Sequence, residues 1–121
     1  MRIVTWNSQP GLARNWETIK AFDADILTIQ ECEPDAKAFV EGNVGWACEW
    51  QAGRYHKGVA VLARDPYRIA GVEKSGPCYL SSIVEGSSDA HLRFVGFWAM
   101  TPTGPEDSYP QQAKELIELL P

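Results

Sequence analysis

Between Arg2 and Trp6 the chain is rich in β-branched and aromatic residues, and it breaks at "NSQPG", whose Asn, Ser, Pro and Gly all favour turns. A first strand with a loop at its carboxyl end is predicted. Leu12, Trp16, Ile19 and Phe22 then recur at helical intervals while Arg14, Asn15, Glu17 and Lys20 fall mostly elsewhere, which predicts an amphipathic helix over 12–22. "DILTIQ" follows as a continuous apolar run, the pattern of a strand buried on both faces and paired in parallel through a crossover helix. These segments form a βαβ unit. Pro34 suits the first turn of a short second helix reaching about Val40, where its missing N–H costs nothing.

From Gly45 the pattern changes to strand after strand: "GWACEW", "KGVAVLAR", "YRIAGVEK", "CYLSSIVE" and "HLRFVGFWA", with turn residues between them. Such close spacing predicts antiparallel hairpins rather than further crossovers. The chain closes on "YPQQAKELIELLP", in which Ala113, Leu116 or Ile117, and Leu120 share a helical face. The predicted fold is α/β, a mixed sheet with helices on one face, in one domain over 1–121.

Composition narrows the setting. The 121 residues are 45% hydrophobic and 22% charged, which is globular rather than disordered. A net charge of −5 opposes general attraction to long nucleic acid or to an anionic membrane. Cys32, Cys48 and Cys78 match neither a zinc site nor a paired disulfide framework, and reduced thiols are expected. "MRIVTWN" lacks the apolar core of a signal peptide, and no stretch reaches the roughly 18 apolar residues of a membrane span. A soluble cytoplasmic protein is expected.

Two polar residues stand at the carboxyl ends of neighbouring predicted strands, Asn7 and Glu31, on the sheet edge where α/β folds bind ligands. A carboxylate there is a hard-oxygen ligand suited to Mg²⁺, which takes one or two protein carboxylates and fills its other positions with water or phosphate. A strand-end acid that simply meets water is the competing account. Arg54, His56 and Lys57 form a short cationic cluster, either a solvated loop or a phosphate-facing one. His91 opens a predicted strand and reads as structural, and Trp98 and Met100 read as core or rim residues.

"MRIVTWN", "ADILTIQE", "KGVAVLAR" and "LRFVGFWA" resemble, in order and separation, the amino-terminal half of the endonuclease/exonuclease/phosphatase family, with its DNase I-like fold. The resemblance implies half of a four-layer α/β/β/α sandwich and a relation to Mg²⁺-dependent phosphodiester or phosphomonoester hydrolases. It implies that Glu31 binds the divalent metal and that Asn7 positions the phosphate and the catalytic carboxylates. Tyr109 falls near the place where relatives carry an active-site aromatic or basic residue; a Tyr packed on the sheet beside a helix cap is the alternative.

Family members continue into a Gly-Asp-x-Asn strand and a Ser-Asp-His segment, and this chain stops at Pro121. The resemblance therefore implies an active site with Asn7 and Glu31 but without the Asp, Asn and His groups of those segments, inactive or weakly active alone. The alternative is a non-catalytic dimeric binding protein on the same half-fold. Half a sandwich is expected to leave one sheet face bare. Since apolar burial is worth about 25 cal/mol per Å², a homodimer through that face is expected.

Overall fold

A computed structural model describes residues 1–88 and 91–120; Pro121, the last residue of the expected terminal helix, lies outside them. The elements are β1 (Ile3–Asn7), α1 (Trp16–Ala21), β2 (Ile26–Cys32), α2 (Ala36–Glu41), β3 (Trp46–Ala52) and β4 (Gly58–Arg64), then β5 (Arg68–Gly76), β6 (Tyr79–Glu85), β7 (His91–Phe97) and α3 (Tyr109–Leu119), with a 3₁₀ turn at Pro105–Asp107. β1 and β2 pair in parallel across α1, as the βαβ pattern requires.

The strands divide into two sheets, one in the order β1-β2-β4-β3 and one in the order β5-β6-β7. The first is the mixed sheet expected from the sequence. Leu27, Ile29, Ala60 and Leu62 point from it toward Leu12, Trp16, Ile19, Ala36 and Val40 of the α1 and α2 segments. The alternate residues Ile26, Val59 and Val61 point the other way and bury against Leu80 and Val84 of β6, with Trp98 and Met100. This two-sided burial is why "DILTIQ" and "GVAVLA" read as unbroken apolar runs.

The second sheet therefore lies on the face of the first sheet opposite the helices. The inner face of the four-stranded sheet is covered within the chain. A Cβ on Gly96 of β7 would sit 2.9 Å from Val61 Cγ2 and 3.3 Å from Thr28 Cγ2, so this glycine sets the local spacing between the sheets. β3 lies over β5 and β2 over β7, which leaves β1 and β7 as edge strands on one side of the sandwich. Ile3 of β1 is 48% exposed.

Two helices are shorter than expected. α1 begins at Trp16 because Gly11 to Asn15 forms a separate turn, with Asn15 N and Asn15 Nδ2 both donating to Gly11 O at 2.9 and 2.8 Å. α2 begins two residues after Pro34, with Asp35 at its N-cap. In α3 the choice between Leu116 and Ile117 falls to Leu116, which is buried while Ile117 is 70% exposed. Gln112 is buried one turn before Leu116; its Nε2 donates to Met100 O at 2.7 Å and Asp107 O at 2.8 Å, and its Oε1 accepts from Met100 N at 2.9 Å.

Candidate active site

The carboxyl ends of β1 and β2 lie side by side, with Asn7 opposite Gln30 and Ser8 N donating to Gln30 O at 3.0 Å. Against β4, β2 keeps register up to Ile29–Ala60 and resumes it at Cys32–Gly58, so Gln30 and Glu31 together stand opposite Val59 alone. This is a β-bulge, which adds a residue and re-aims the side chains around it. Ile29 and Cys32 both face the helices. The extra residue releases Glu31 from strict alternation, and it sits half-buried at the rim with φ +53°. A left-handed conformation costs a non-glycine residue about 1–2 kcal/mol, so the surroundings must hold it.

Ser8 does part of that. It is 4% exposed, and its Oγ donates to Gln30 O at 3.2 Å, with Glu31 O 3.4 Å away. Glu33 does another part: its Oε1 accepts from Leu12 N at 2.8 Å, tying the loop after β1 to the end of β2. Glu33 is thus a cross-link between two segments. Asn7 Oδ1 accepts from Gln9 N at 3.1 Å, an Asx-type turn that holds this side chain over the loop. Gln30 Nε2 donates to Thr5 Oγ1 at 2.8 Å and to Phe97 O at 3.3 Å, linking β1, β2 and β7.

The residues of the cationic cluster separate into distinct roles. Lys57 Nζ lies 3.4 Å from Glu31 Oε2. Arg54 points away, with Nη1 and Nη2 on the two oxygens of Asp107 at 3.0 and 3.2 Å and Nη1 also on Thr101 O at 3.0 Å. That bidentate contact, with Thr103 N and Oγ1 also donating to Asp107, holds the Asp107 carboxyl down at about 2. Tyr55 and His56, at the exposed turn between them, both have φ +57°. Lys57 N donates to Arg54 O at 3.0 Å and Gly53 N to Lys57 O at 2.8 Å, closing the turn. A Cβ at Gly53 would meet the Trp98 ring at 2.7 Å and Met100 Sδ at 3.2 Å, so that pair is the buried floor of the loop.

Gly58, next to Lys57, has no room for a side chain: its Cβ would lie 2.2 Å from Gln51 O and 2.6 Å from the Trp50 indole. Trp50 Nε1 in turn donates to Cys32 O at 3.1 Å. Tyr109, the first residue of α3, is 52% exposed. Among the described residues no hydrogen bond or ion pair joins it to Asn7 or Glu31. His91 pairs with Glu85 Oε1 at 3.1 Å, and it starts the strand whose other end, Phe97, meets Gln30, so ~20 Å of strand separates it from the site. All three cysteines are free; burial pushes the Cys32 thiol far up and the Cys48 thiol to about 12.

Among the described residues no group of three or more His, Cys, Asp and Glu side chains is placed to hold a metal. Glu31 is a single, rim-placed carboxylate whose described partner is one ammonium. That suits an ion of the Mg²⁺ type, which needs one or two carboxylates and takes its other oxygens from water and phosphate. It does not suit zinc, which needs at least three protein ligands.

No family model and no curated protein matches the chain. Solved structures do. All of the chain superimposes on 56% of TDP2 of D. rerio, solved with a single-stranded DNA product, at TM-score 0.72 and 15% identity. The fold is half of the endonuclease/exonuclease/phosphatase fold. A mannosyl-6-phosphatase of Bacteroides thetaiotaomicron matches 98% of the chain over 59% of its own, at TM-score 0.65 and 13% identity. An endonuclease/exonuclease/phosphatase family protein of the same organism matches 95% over 57%, at TM-score 0.59 and 16% identity. The chain thus spans less than two thirds of the length of each of these proteins. The layers α/β/β agree with the DNase I-like sandwich implied by the sequence resemblance, and no helix among the described residues is long and apolar enough to cross a membrane.

Proposed function

We propose that this half-domain carries the metal-binding half of a phosphoester hydrolase site, with Glu31 as the ligand of a Mg²⁺-type ion and Asn7 positioning a phosphate oxygen beside it. The observation that carries the proposal is the bulge in β2. A strand buried on both faces breaks its register opposite Val59, at the strand end next to Asn7, and the residue it displaces is a carboxylate in a strained conformation. Strain of this kind gathers at functional sites. An acid that merely met water would need neither the bulge nor the left-handed backbone. The similar structures include a phosphatase and a protein solved with a DNA product, which supports a phosphate ester as the class of substrate.

A bound divalent ion would neutralise phosphate charge and polarise the phosphoryl oxygen. Asn7 and Lys57 would orient the phosphate. Neither is a general base for water, so the half-domain alone is expected to be inactive or weakly active. The experiment is hydrolysis of bis-p-nitrophenyl phosphate with and without Mg²⁺, comparing the chain with Glu31→Ala. The expected result is little or no turnover, with any that occurs lost in the variant. Robust turnover that persists in Glu31→Ala would overturn the assignment of Glu31.

A non-catalytic dimeric binding protein is the second reading, and the paired edges of β1 and β7 favour it. Edge strands offer unpaired N–H and C=O groups to another chain, and here both sheets end on the same side. The partner surface is then this edge, with Ile3 exposed along it, and a second copy is its occupant. Light scattering after size-exclusion chromatography at micromolar concentration tests this; a dimer weakened by Thr5→Pro on the edge supports it, and a monomer at every concentration excludes it.

A further inference from the structure

We propose that Lys57 is a tethered counter-ion that holds Glu31 when no metal is bound and transfers to the phosphate when metal and phosphate bind together. The proposal rests on the assignment of Glu31 as a metal ligand and adds how that site is regulated. Its basis is the ion pair of 3.4 Å between Lys57 Nζ and Glu31 Oε2, both side chains being about a third exposed or less (30% and 26%).

The backbone on both sides of this pair is fixed. Glu31 is held by the bulge, and Lys57 is held by the closed turn from Gly53 and by Gly58, packed beneath the Trp50 ring. Arg54 anchors the turn from the other side through its bidentate contact with Asp107. Only the four-carbon stem of Lys57 is free to move, which confines the ammonium to the neighbourhood of Glu31. An ammonium is a compact charge with rotatable donors and engages a carboxylate or a phosphate equally well.

The consequence follows from charge. With Lys57 on Glu31 the site is neutral, and a divalent cation entering alone must displace one positive charge and then sit beside it. A phosphate arriving with the metal gives Lys57 a new partner and removes that repulsion. Metal and phosphate should therefore each raise the other's affinity, and by linkage the factor must be the same in both directions. Without Lys57 the metal alone should bind more tightly and the mutual enhancement should shrink.

The test is a Mn²⁺ titration followed by water-proton relaxation, with and without inorganic phosphate, on the chain and its Lys57→Gln, Lys57→Arg and Glu31→Gln variants, each checked by circular dichroism. Without phosphate, Lys57→Gln should bind Mn²⁺ about two- to fivefold more tightly than the parent, the order expected for a lost part-exposed ion pair. Lys57→Arg should stay near the parent, and phosphate should tighten Mn²⁺ binding more in the parent than in Lys57→Gln. Equal affinities in the parent and Lys57→Gln, or equal phosphate effects, overturn the counter-ion role while leaving Glu31 as a ligand. Unchanged Mn²⁺ binding in Glu31→Gln, or no binding in any form, overturns the metal site itself and the counter-ion role with it.

Discussion

Gln112→Ala should release α3 from the sandwich. Gln112 makes three hydrogen bonds with the backbone of Met100 and Asp107 at 2.7–2.9 Å, in a setting where Gln112 is 7% and Met100 4% exposed. At about 1.3–2 kcal/mol for each of the three backbone groups that lose a partner, in the lower part of the range for a buried group left unsatisfied because the Asp107 carbonyl is only partly buried, the loss is about 4–6 kcal/mol. The freed rotamers of the glutamine return up to about 2 kcal/mol. The balance is a loss of about 2–4 kcal/mol, local to the helix. Packing replaces little of it, since beside α3 lies a cavity of about 220 Å³ bordered by Cys78, Tyr79, Leu116 and Leu119. At about 1.4 kcal/mol per tenfold, native-state hydrogen exchange of the amides from Glu115 to Leu119 should accelerate roughly 30- to 1,000-fold while β2 and β4 amides keep their protection. Acceleration below about threefold would show that α3 is held by something other than Gln112 and refute the reasoning.

Three other outcomes follow from particular contacts. Gly96→Ala should cost about 1–3 kcal/mol in urea unfolding, because its Cβ meets three methyl groups of β2 and β4 at 2.9–3.3 Å and the sheets must part locally; an unchanged midpoint would mean the spacing is set elsewhere. Glu33→Gln should loosen the loop after β1 by removing the charge from the acceptor of Leu12 N, about 1 kcal/mol, read as faster exchange at Leu12. Acid should destabilise the chain between about pH 4 and pH 2. Arg54 donation holds the Asp107 carboxyl below its ordinary 3.8 at about 2, and the Arg2 N–H lowers that of Asp25. Carboxyls depressed in the folded state contribute stability that is full above their unfolded values and lost as pH falls through the folded ones. Asp107→Asn should flatten that part of the stability curve, and an identical curve in the variant would contradict the assignment.

Much of the fold is legible in the sequence because burial leaves periodic marks. Trp16 and Ile19 of α1 bury in one core cluster with Leu12 of the preceding turn, and the two-faced burial of β2 and β4 erases alternation, which is itself a signal. The division into two sheets is not legible. The strands after Gly45 show only that they pair in sequence, and whether β5 continues the sheet of β4 or turns onto its face depends on side chains such as Val61 and Gly96 meeting across space. Glu31 is legible as a strand-end acid, but the bulge that frees it is not, since "TIQEC" reads equally well as an unbroken strand. Ser8 was hidden within a turn signal. Gln112 left a usable trace: it lies one turn before Leu116, on the apolar face, where a polar residue must find partners. The roles of Arg54 and Lys57 depend on contacts with Asp107 and Glu31, distant in sequence, and adjacency alone grouped them.

Binding of a divalent ion by Glu31 is the property on which the proposed site depends. Crystals of the chain grown with Mn²⁺ and inorganic phosphate, measured at a wavelength where manganese scatters anomalously, test it most directly. The predicted result is one anomalous peak about 2.1 Å from a Glu31 carboxylate oxygen, phosphate density beside Asn7, and Lys57 Nζ moved from Glu31 to the phosphate. Ordered Mn²⁺ elsewhere, or none while Lys57 still holds Glu31, would contradict it.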